Sequence, residues 1–223
     1  MQTAVQQRLR VTFGVADPLI YASVLDLGRL WERLLRRARA PLAYTQGFNP
    51  HPRLQFAAAL PVGYGSECEL VDILLAECLT PECFRQSVAP QLPPGLSIEQ
   101  VEEIPLDAPS PQATMREAHY RVSLTAPVPA EQVRQSLDSL VARQEIIRER
   151  PKKGELKPYD LRPLVLALEL CSSNDTHHEL FMRLLCSAQG SGRPEEVVDE
   201  LGLPLTDFAI RRCRLVWGTA QEG

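Results

Sequence analysis

The stretch Arg8-Leu9-Arg10-Val11-Thr12-Phe13-Gly14-Val15 alternates polar and apolar side chains, the period-two pattern of a strand with one buried face. The next stretch changes period. From Val24 to Arg39 the residues Leu27, Leu30, Trp31, Leu34, Leu35 and Ala38 recur at three and four, which predicts a helix ended by Pro41. Residues 54–62 and 67–76 read as two further strands, split by a turn at Gly63-Tyr64-Gly65-Ser66. Thr80-Pro81-Glu82 is a helix start of the cap-then-proline kind, running to about Ala89, and Leu96–Ile104 supplies a fourth strand. The order is β-α-β-β-α-β.

The same order recurs beyond a proline-rich stretch that holds Pro105, Pro109 and Pro111. His119–Thr125 reads as a strand and Pro129–Arg143 as a helix with Val133, Leu137, Leu140 and Val141 on one face. Ile146–Arg150 reads as a short strand, followed by strand-like runs at Leu164–Leu170 and Glu179–Ser187. Pro194–Leu201 predicts a short helix whose two early glutamates suit its positive end, and Ile210–Trp217 closes the set. The expected fold class is α+β. Two tandem ferredoxin-like units with antiparallel sheets occupy residues 1–106 and 119–223, joined by a linker over 107–118. Residues 151–170 are more than a hairpin turn needs.

Across 223 residues, 24 Lys plus Arg stand against 28 Asp plus Glu, and hydrophobic residues make up 44%. Those values exclude a disordered chain and a bulk polybasic tail. Aromatic residues, at 6%, argue against an extended base-stacking platform. No segment approaches the roughly 18 apolar residues of a membrane span, and Met1 to Arg10 contains no apolar signal core, so the expectation is a cytoplasmic protein without membrane contact. Six cysteines (Cys68, Cys78, Cys83, Cys171, Cys186 and Cys213) form no C-x-x-C pair, and each is expected to be a buried reduced thiol. Neither a metal site nor a cofactor is expected. The C-x-x-x-C-x-x-C cluster motif of radical SAM enzymes is absent.

Charge is distributed unevenly. Between Arg29 and Arg53 lie six arginines (29, 33, 36, 37, 39 and 53) against Glu32 alone, in a chain of net charge −4. Arg29, Arg33, Arg36 and Arg37 are spaced to share one helix face. That helix runs into Tyr44-Thr45-Gln46-Gly47-Phe48-Asn49-Pro50-His51-Pro52-Arg53, whose glycine and prolines predict a stiff loop presenting Gln46, Asn49, His51 and Arg53. A loop of this kind after a basic helix suits phosphate contacts together with hydrogen bonds to a nucleotide. The alternative is a structural turn in which Asn49 and His51 bond backbone groups, on a helix whose arginines are simply solvated.

A second basic stretch holds Arg148, Arg150, Lys152, Lys153, Lys157 and Arg162 against Glu149, Glu155 and Asp160. It reads either as a second wall of a positive cleft, with Lys157 and Arg162 on the nucleic acid, or as a charged hairpin. Asp175-Thr176-His177-His178-Glu179 reads as a solvated turn rather than a metal site, since adjacent histidines diverge in any regular element.

The runs Leu25-Asp26-Leu27-Gly28-Arg29 and Arg36 through Pro52, with Gly47-Phe48-Asn49-Pro50-His51-Pro52 as the most specific motif, carry a resemblance. It continues through Leu60-Pro61-Val62-Gly63 and Tyr159-Asp160-Leu161-Arg162-Pro163-Leu164, so it spans nearly the whole chain. The chain resembles the radical-SAM-linked bacterial family of unknown function, found alone or fused C-terminal to cobalamin-type radical SAM proteins. One departure is Ser23-Val24-Leu25-Asp26, where the family usually has Ser-His-Leu-Asp, so a role built on two histidines lacks one of them. The resemblance implies a radical SAM partner that performs the chemistry. Relatives are encoded near ribosomal-protein genes and an E/G-type ribonuclease, which implies an RNA substrate.

Three functions are therefore expected in order. The first is an accessory RNA-binding protein that presents tRNA or rRNA to a radical SAM modification enzyme. The second is a metal-independent endoribonuclease with His51 as general base. The third is a protein-docking module for the radical SAM partner without RNA contact.

Overall fold

The structure, a computed structural model, describes residues 4–152, 154–187 and 190–218; the side chain of Lys152 is outside that description. The chain is a mixed α/β protein of antiparallel sheets and few helices, and it divides into two compact units, one ending at Thr114 and the other running Met115–Gly218.

The first unit contains β1 (Gln7–Val15), α1 (Val24–Arg37), β2 (Leu54–Phe56), β3 (Gly65–Leu75), α2 (Pro81–Val88), β4 (Leu96–Ile104) and α3 (Pro111–Thr114). β1 pairs antiparallel with both β3 and β4, and β2 pairs with β3, so the strand order is β4-β1-β3-β2. Leu9, Val11 and Phe13 are buried on β1, and so are Leu27, Trp31, Leu34 and Leu35 on α1, as the two periods in the sequence require. Phe13 meets Trp31 edge-on at 5.1 Å. α2 begins as its Thr80-Pro81 start predicts: Thr80 Oγ1 accepts from the Cys83 amide at 3.1 Å.

Two expectations change in this unit. β2 covers three residues rather than 54–62. After the Ala57 amide bonds the Leu70 carbonyl, the chain leaves the sheet for a turn in which Tyr64 N donates to Pro61 O and Gly63 N to Ile20 O. The stretch after β4 is also no free linker. Arg8, buried on the sheet face opposite α1, donates to the Ala108 and Pro109 carbonyls, and α3 is tied to β2 by Gln112 Nε2 on Phe56 O at 2.6 Å. The same Arg8 pairs with Asp72, which also receives Arg10 at 2.8 Å, so one fully buried carboxylate bridges two guanidiniums.

The second unit contains β5 (Met115–Thr125), α4 (Ala130–Ala142), β6 (Ile147–Lys152), β7 (Glu155–Asp160), β8 (Val165–Ser173), β9 (His177–Ser187), β10 (Gly190–Ser191), α5 (Pro194–Glu200) and β11 (Asp207–Trp217). Its sheet runs β11-β5-β9-β8, all antiparallel, with the two residues of β10 pairing antiparallel to the end of β9. β5 starts at Met115, four residues before His119, because the buried Met115 pairs with Trp217. The segment expected as the second strand, Ile146–Arg150, falls largely in β6, which among the described residues pairs with β7 alone in a separate two-stranded ribbon. The excess residues of 151–170 are the return strand of that ribbon.

None of the six cysteines is buried as expected: Cys78, Cys83 and Cys171 are exposed, and Cys68, Cys186 and Cys213 are half-buried. Among the described residues no helix is long and apolar enough to cross a membrane.

Candidate nucleic-acid interface

α1 is capped at its start by Ser23, whose Oγ accepts from the Asp26 amide at 3.2 Å and donates to the Asp26 carboxylate at 2.6 Å. That hydrogen bond holds the Asp26 carboxyl below the usual carboxylate range. Arg36 and Arg37 occupy the last turn, where positive charge suits the helix dipole. At 100° per residue, the buried stripe of Leu27, Trp31, Leu34 and Leu35 leaves Arg29, Arg33 and Arg36 on the opposite side, with Arg37 at its shoulder. All four are exposed. The predicted shared face is present.

Acidic neighbours on this face are few and weakly engaged. Arg29 lies 3.5 Å from Asp26 and Arg36 3.9 Å from Glu32, in pairs open to the solvent that screens them. Among the described residues, Arg33, Arg37, Arg39 and Arg53 have no carboxylate within ion-pair distance.

The loop rises from a short stem. Ala43 N donates to Leu74 O and Arg53 N to Ala43 O, each at 2.9 Å, and Tyr44 bridges Pro52. Beyond the stem Thr45 holds both polar backbone groups of His51: its amide donates to the His51 carbonyl, and its Oγ1 accepts from the His51 amide at 3.0 Å. Gln46, Gly47, Phe48, Asn49 and Pro50 project past that closure and are exposed. Gly47 has φ +126°, a backbone conformation that side chains resist, and it turns the chain outward. The loop is therefore closed at its root and exposed at its tip, and the side chains of Gln46 and Asn49 bond no backbone group among the described residues. His51 Nδ1 stands 3.7 Å from Glu32 Oε1, which sets the loop root against the third turn of α1. Arg53 lies at the foot of the stem, exposed.

Two features escaped the sequence. Glu32 contacts both Arg36 and His51 and so joins helix to loop. Phe48 is as exposed as a side chain can be, at 106%. Burying a phenylalanine is worth about 1.5–3 kcal/mol, so leaving one in water forgoes a real contribution. The signal was legible: Phe48 sits between Gly47 and Asn49-Pro50, where neither period assigns it a core partner.

The second basic stretch is different. Arg148 donates to Asp199 at 3.1 Å and Glu200 at 2.8 Å, and Arg150 pairs with Glu196 while lying 4.1 Å over the Tyr159 ring. Tyr159 donates to the same Glu196 carboxylate at 2.5 Å. Burial and that carboxylate push the Tyr159 phenol up to about 12. Burial alone would raise Glu196, but hydrogen bonds from Arg150 and Tyr159 outweigh it and hold the carboxyl below its ordinary value. The ribbon is thus clamped onto α5 by its own arginines. Arg162 is likewise structural: it donates to Val141 O at 3.0 Å in the last turn of α4 and to Val165 O at 2.9 Å. Lys157 is exposed beside Glu155. Lys153 lies outside the described residues. A cavity of about 490 Å³ between the ribbon and β10 is lined by Arg150, Lys157 and Tyr159, and its arginine is already neutralised by Glu196.

The histidine pair is not a solvated turn. His178 is buried on β9, its Nδ1 bonded to Ser173 at 2.6 Å and its Nε2 3.2 Å from Ala126 O, whereas His177 is exposed.

A family profile described as "Uncharacterized protein conserved in bacteria (DUF2344)" matches residues 8–194. No curated protein matches the chain. Among solved structures the chain is similar to one in a Cbf5-Nop10-Gar1 complex, at 12% identity and TM-score 0.49, covering 92% of this chain and 48% of that one. It is similar to a chain of the archaeal box H/ACA sRNP Nop10-Cbf5 complex at 10% identity and TM-score 0.48, covering 94% and 48%. An unknown protein from Galdieria sulphuraria matches at 14% identity and TM-score 0.26, covering 92% of this chain and 98% of that one. The chain spans about half the length of the first solved chains it matches, 48% in each.

Proposed function

From the premise that this chain belongs to the DUF2344 family of uncharacterized proteins conserved in bacteria, we propose that it is an accessory RNA-binding protein. Its interface is the outer face of α1 together with the loop that follows. Arg29, Arg33, Arg36, Arg37 and Arg53 hold phosphates, while Gln46, Asn49 and His51 read a nucleotide. The observation that carries this reading is a set of exposed guanidiniums beside a hydrogen-bond-closed loop on an acidic chain, three of which (Arg33, Arg37 and Arg53) have no carboxylate within ion-pair distance among the described residues.

We read each unit as ferredoxin-like. In support, both follow the order β-α-β-β-α-β with the fourth strand beside the first and the third between first and second: β4-β1-β3-β2 and β11-β5-β9-β8. The ribbon β6–β7 is then an insertion after α4. In this reading the RNA, tRNA or rRNA, is presented to a radical SAM enzyme that the family resemblance implies.

The test is crosslinking and sequencing of RNA co-purified from cells, with partner proteins identified in the same pull-down. Enriched structured RNA, lost when Arg33 and Arg36 are reversed to Glu, supports the reading. A radical SAM protein retained at high salt with no RNA crosslinked overturns it in favour of a docking module. A second reading, endoribonuclease, rests on the Glu32 carboxylate 3.7 Å from His51 Nδ1, a pair able to orient a general base. Cleavage of a labelled RNA pool, lost in His51→Ala, decides for it.

A further inference from the structure

Phe48 narrows the kind of RNA. A fully solvated aromatic at the tip of a closed loop has no task in the fold: the stem bonds run through Ala43, Tyr44, Pro52 and Arg53, and the closure through Thr45 and His51. None of them involves residue 48. Its backbone lies three residues from His51, a reach of about 10 Å, and His51 lies against Glu32 and through it Arg36. An exposed apolar ring therefore stands on the loop whose root lies against the basic helix, between the exposed Gln46 and Asn49 in the chain.

That combination of ring, amide groups and guanidiniums matches the components of a nucleotide. A protein surface of opposite character would need carboxylates against the arginines but offers no reason for a lone projecting ring between two amides. In a duplex the bases are stacked on each other, and the deep groove of A-form RNA does not admit side chains, so a projecting phenylalanine finds no face to cover. An unpaired base offers one. Stacking on an aromatic tolerates any base, with selectivity left to edge contacts.

We infer that Phe48 is a stacking platform for an unpaired nucleotide, so that the RNA bound at this surface is engaged at a loop, bulge or single strand. The inference rests on the RNA-binding reading above. Gly47 at φ +126° and the Thr45–His51 closure hold the ring out before any ligand arrives, which lowers the ordering cost of stacking.

The experiment uses the full chain and two RNAs of one sequence, each with 2-aminopurine at the same position, unpaired in one and in a duplex in the other. Anisotropy reads affinity and 2-aminopurine fluorescence reads stacking. Wild-type protein is expected to bind the unpaired form more tightly and change its fluorescence. Phe48→Ala is expected to weaken that binding about 5- to 100-fold and remove the fluorescence change, with duplex binding and salt dependence unaltered. Phe48→Trp is expected to restore both, which a merely structural role would not predict. Equal affinity of Phe48→Ala and wild type for the unpaired RNA, or equal binding of both RNAs by wild type, overturns the inference while RNA binding itself stands. Failure of the wild type to bind either RNA overturns the RNA-binding reading as well. Because residue 48 makes no contact in the fold, circular dichroism of the variant is expected to match wild type.

Discussion

Thr45 and His51 are joined twice, by the Thr45 amide on the His51 carbonyl at 2.9 Å and by the His51 amide on Thr45 Oγ1 at 3.0 Å. The five residues between them form a closed loop whose shape is set by one threonine. Thr45→Val keeps the side-chain volume and removes the second bond. The freed amide is near solvent, so global stability is expected to fall by only about 0.5–1.5 kcal/mol in urea unfolding. Discrimination between RNAs is expected to fall further than affinity, as competition binding with two RNAs would measure.

The arginine face makes a quantitative prediction. Reversing Arg33 and Arg36 to Glu is expected to weaken binding to all RNAs alike and to flatten its salt dependence. Each lost phosphate contact lowers the slope of log affinity against log salt by about 0.7–0.9. Asn49→Ala or His51→Ala is expected to change preference between RNAs with little change in slope. A loss of slope in the loop variants, or its retention in the double reversal, exchanges the two roles.

The ribbon is expected to behave in the opposite way. Arg150→Ala leaves Glu196 and Tyr159 without their cation, so stability should fall by about 1–3 kcal/mol in denaturant. RNA affinity should stay at the wild-type value, since Arg148 and Arg150 already face carboxylates.

The same cluster sets a pH dependence at each extreme. The Glu196 carboxyl is depressed in the folded protein, so its contribution is present above the ordinary value of 4.5 and is lost as pH falls through the folded value. The Tyr159 phenol is raised, so its contribution is complete below 10.0 and is lost as pH climbs from 10.0 towards about 12. Phenolate absorbance should show one late-titrating tyrosine, absent in Tyr159→Phe.

In the first unit Asp72 joins Arg8 and Arg10 with no exposure of its own. Asp72→Ala would strand the buried Arg8 guanidinium and is expected to cost about 3–5 kcal/mol. Hydrogen exchange should then quicken after β4, where Arg8 holds the Ala108 and Pro109 carbonyls.

Whatever depends on neighbours along the chain was legible. The period-two run of β1, the three-and-four spacing of α1 and the cap-then-proline start of α2 each express backbone geometry acting over one or two turns. So did the exposed face of α1 and the loop after it, because a helix with one apolar stripe has only one place to put its arginines. Partners distant in sequence were not legible. Ile146–Arg150 reads as a sheet strand but lies in the ribbon that β7 completes, and Arg150 reads as no less available than Arg33 although Glu196, 46 residues away, pairs with it. Two stretches of similar composition thus end in opposite states, one solvated and one neutralised. Sequence determines how many charges a segment carries and which face they share, since those follow from local geometry. Only the tertiary structure decides which of them meet a counter-charge, because ion pairing depends on distances of a few ångströms between residues that the chain keeps far apart.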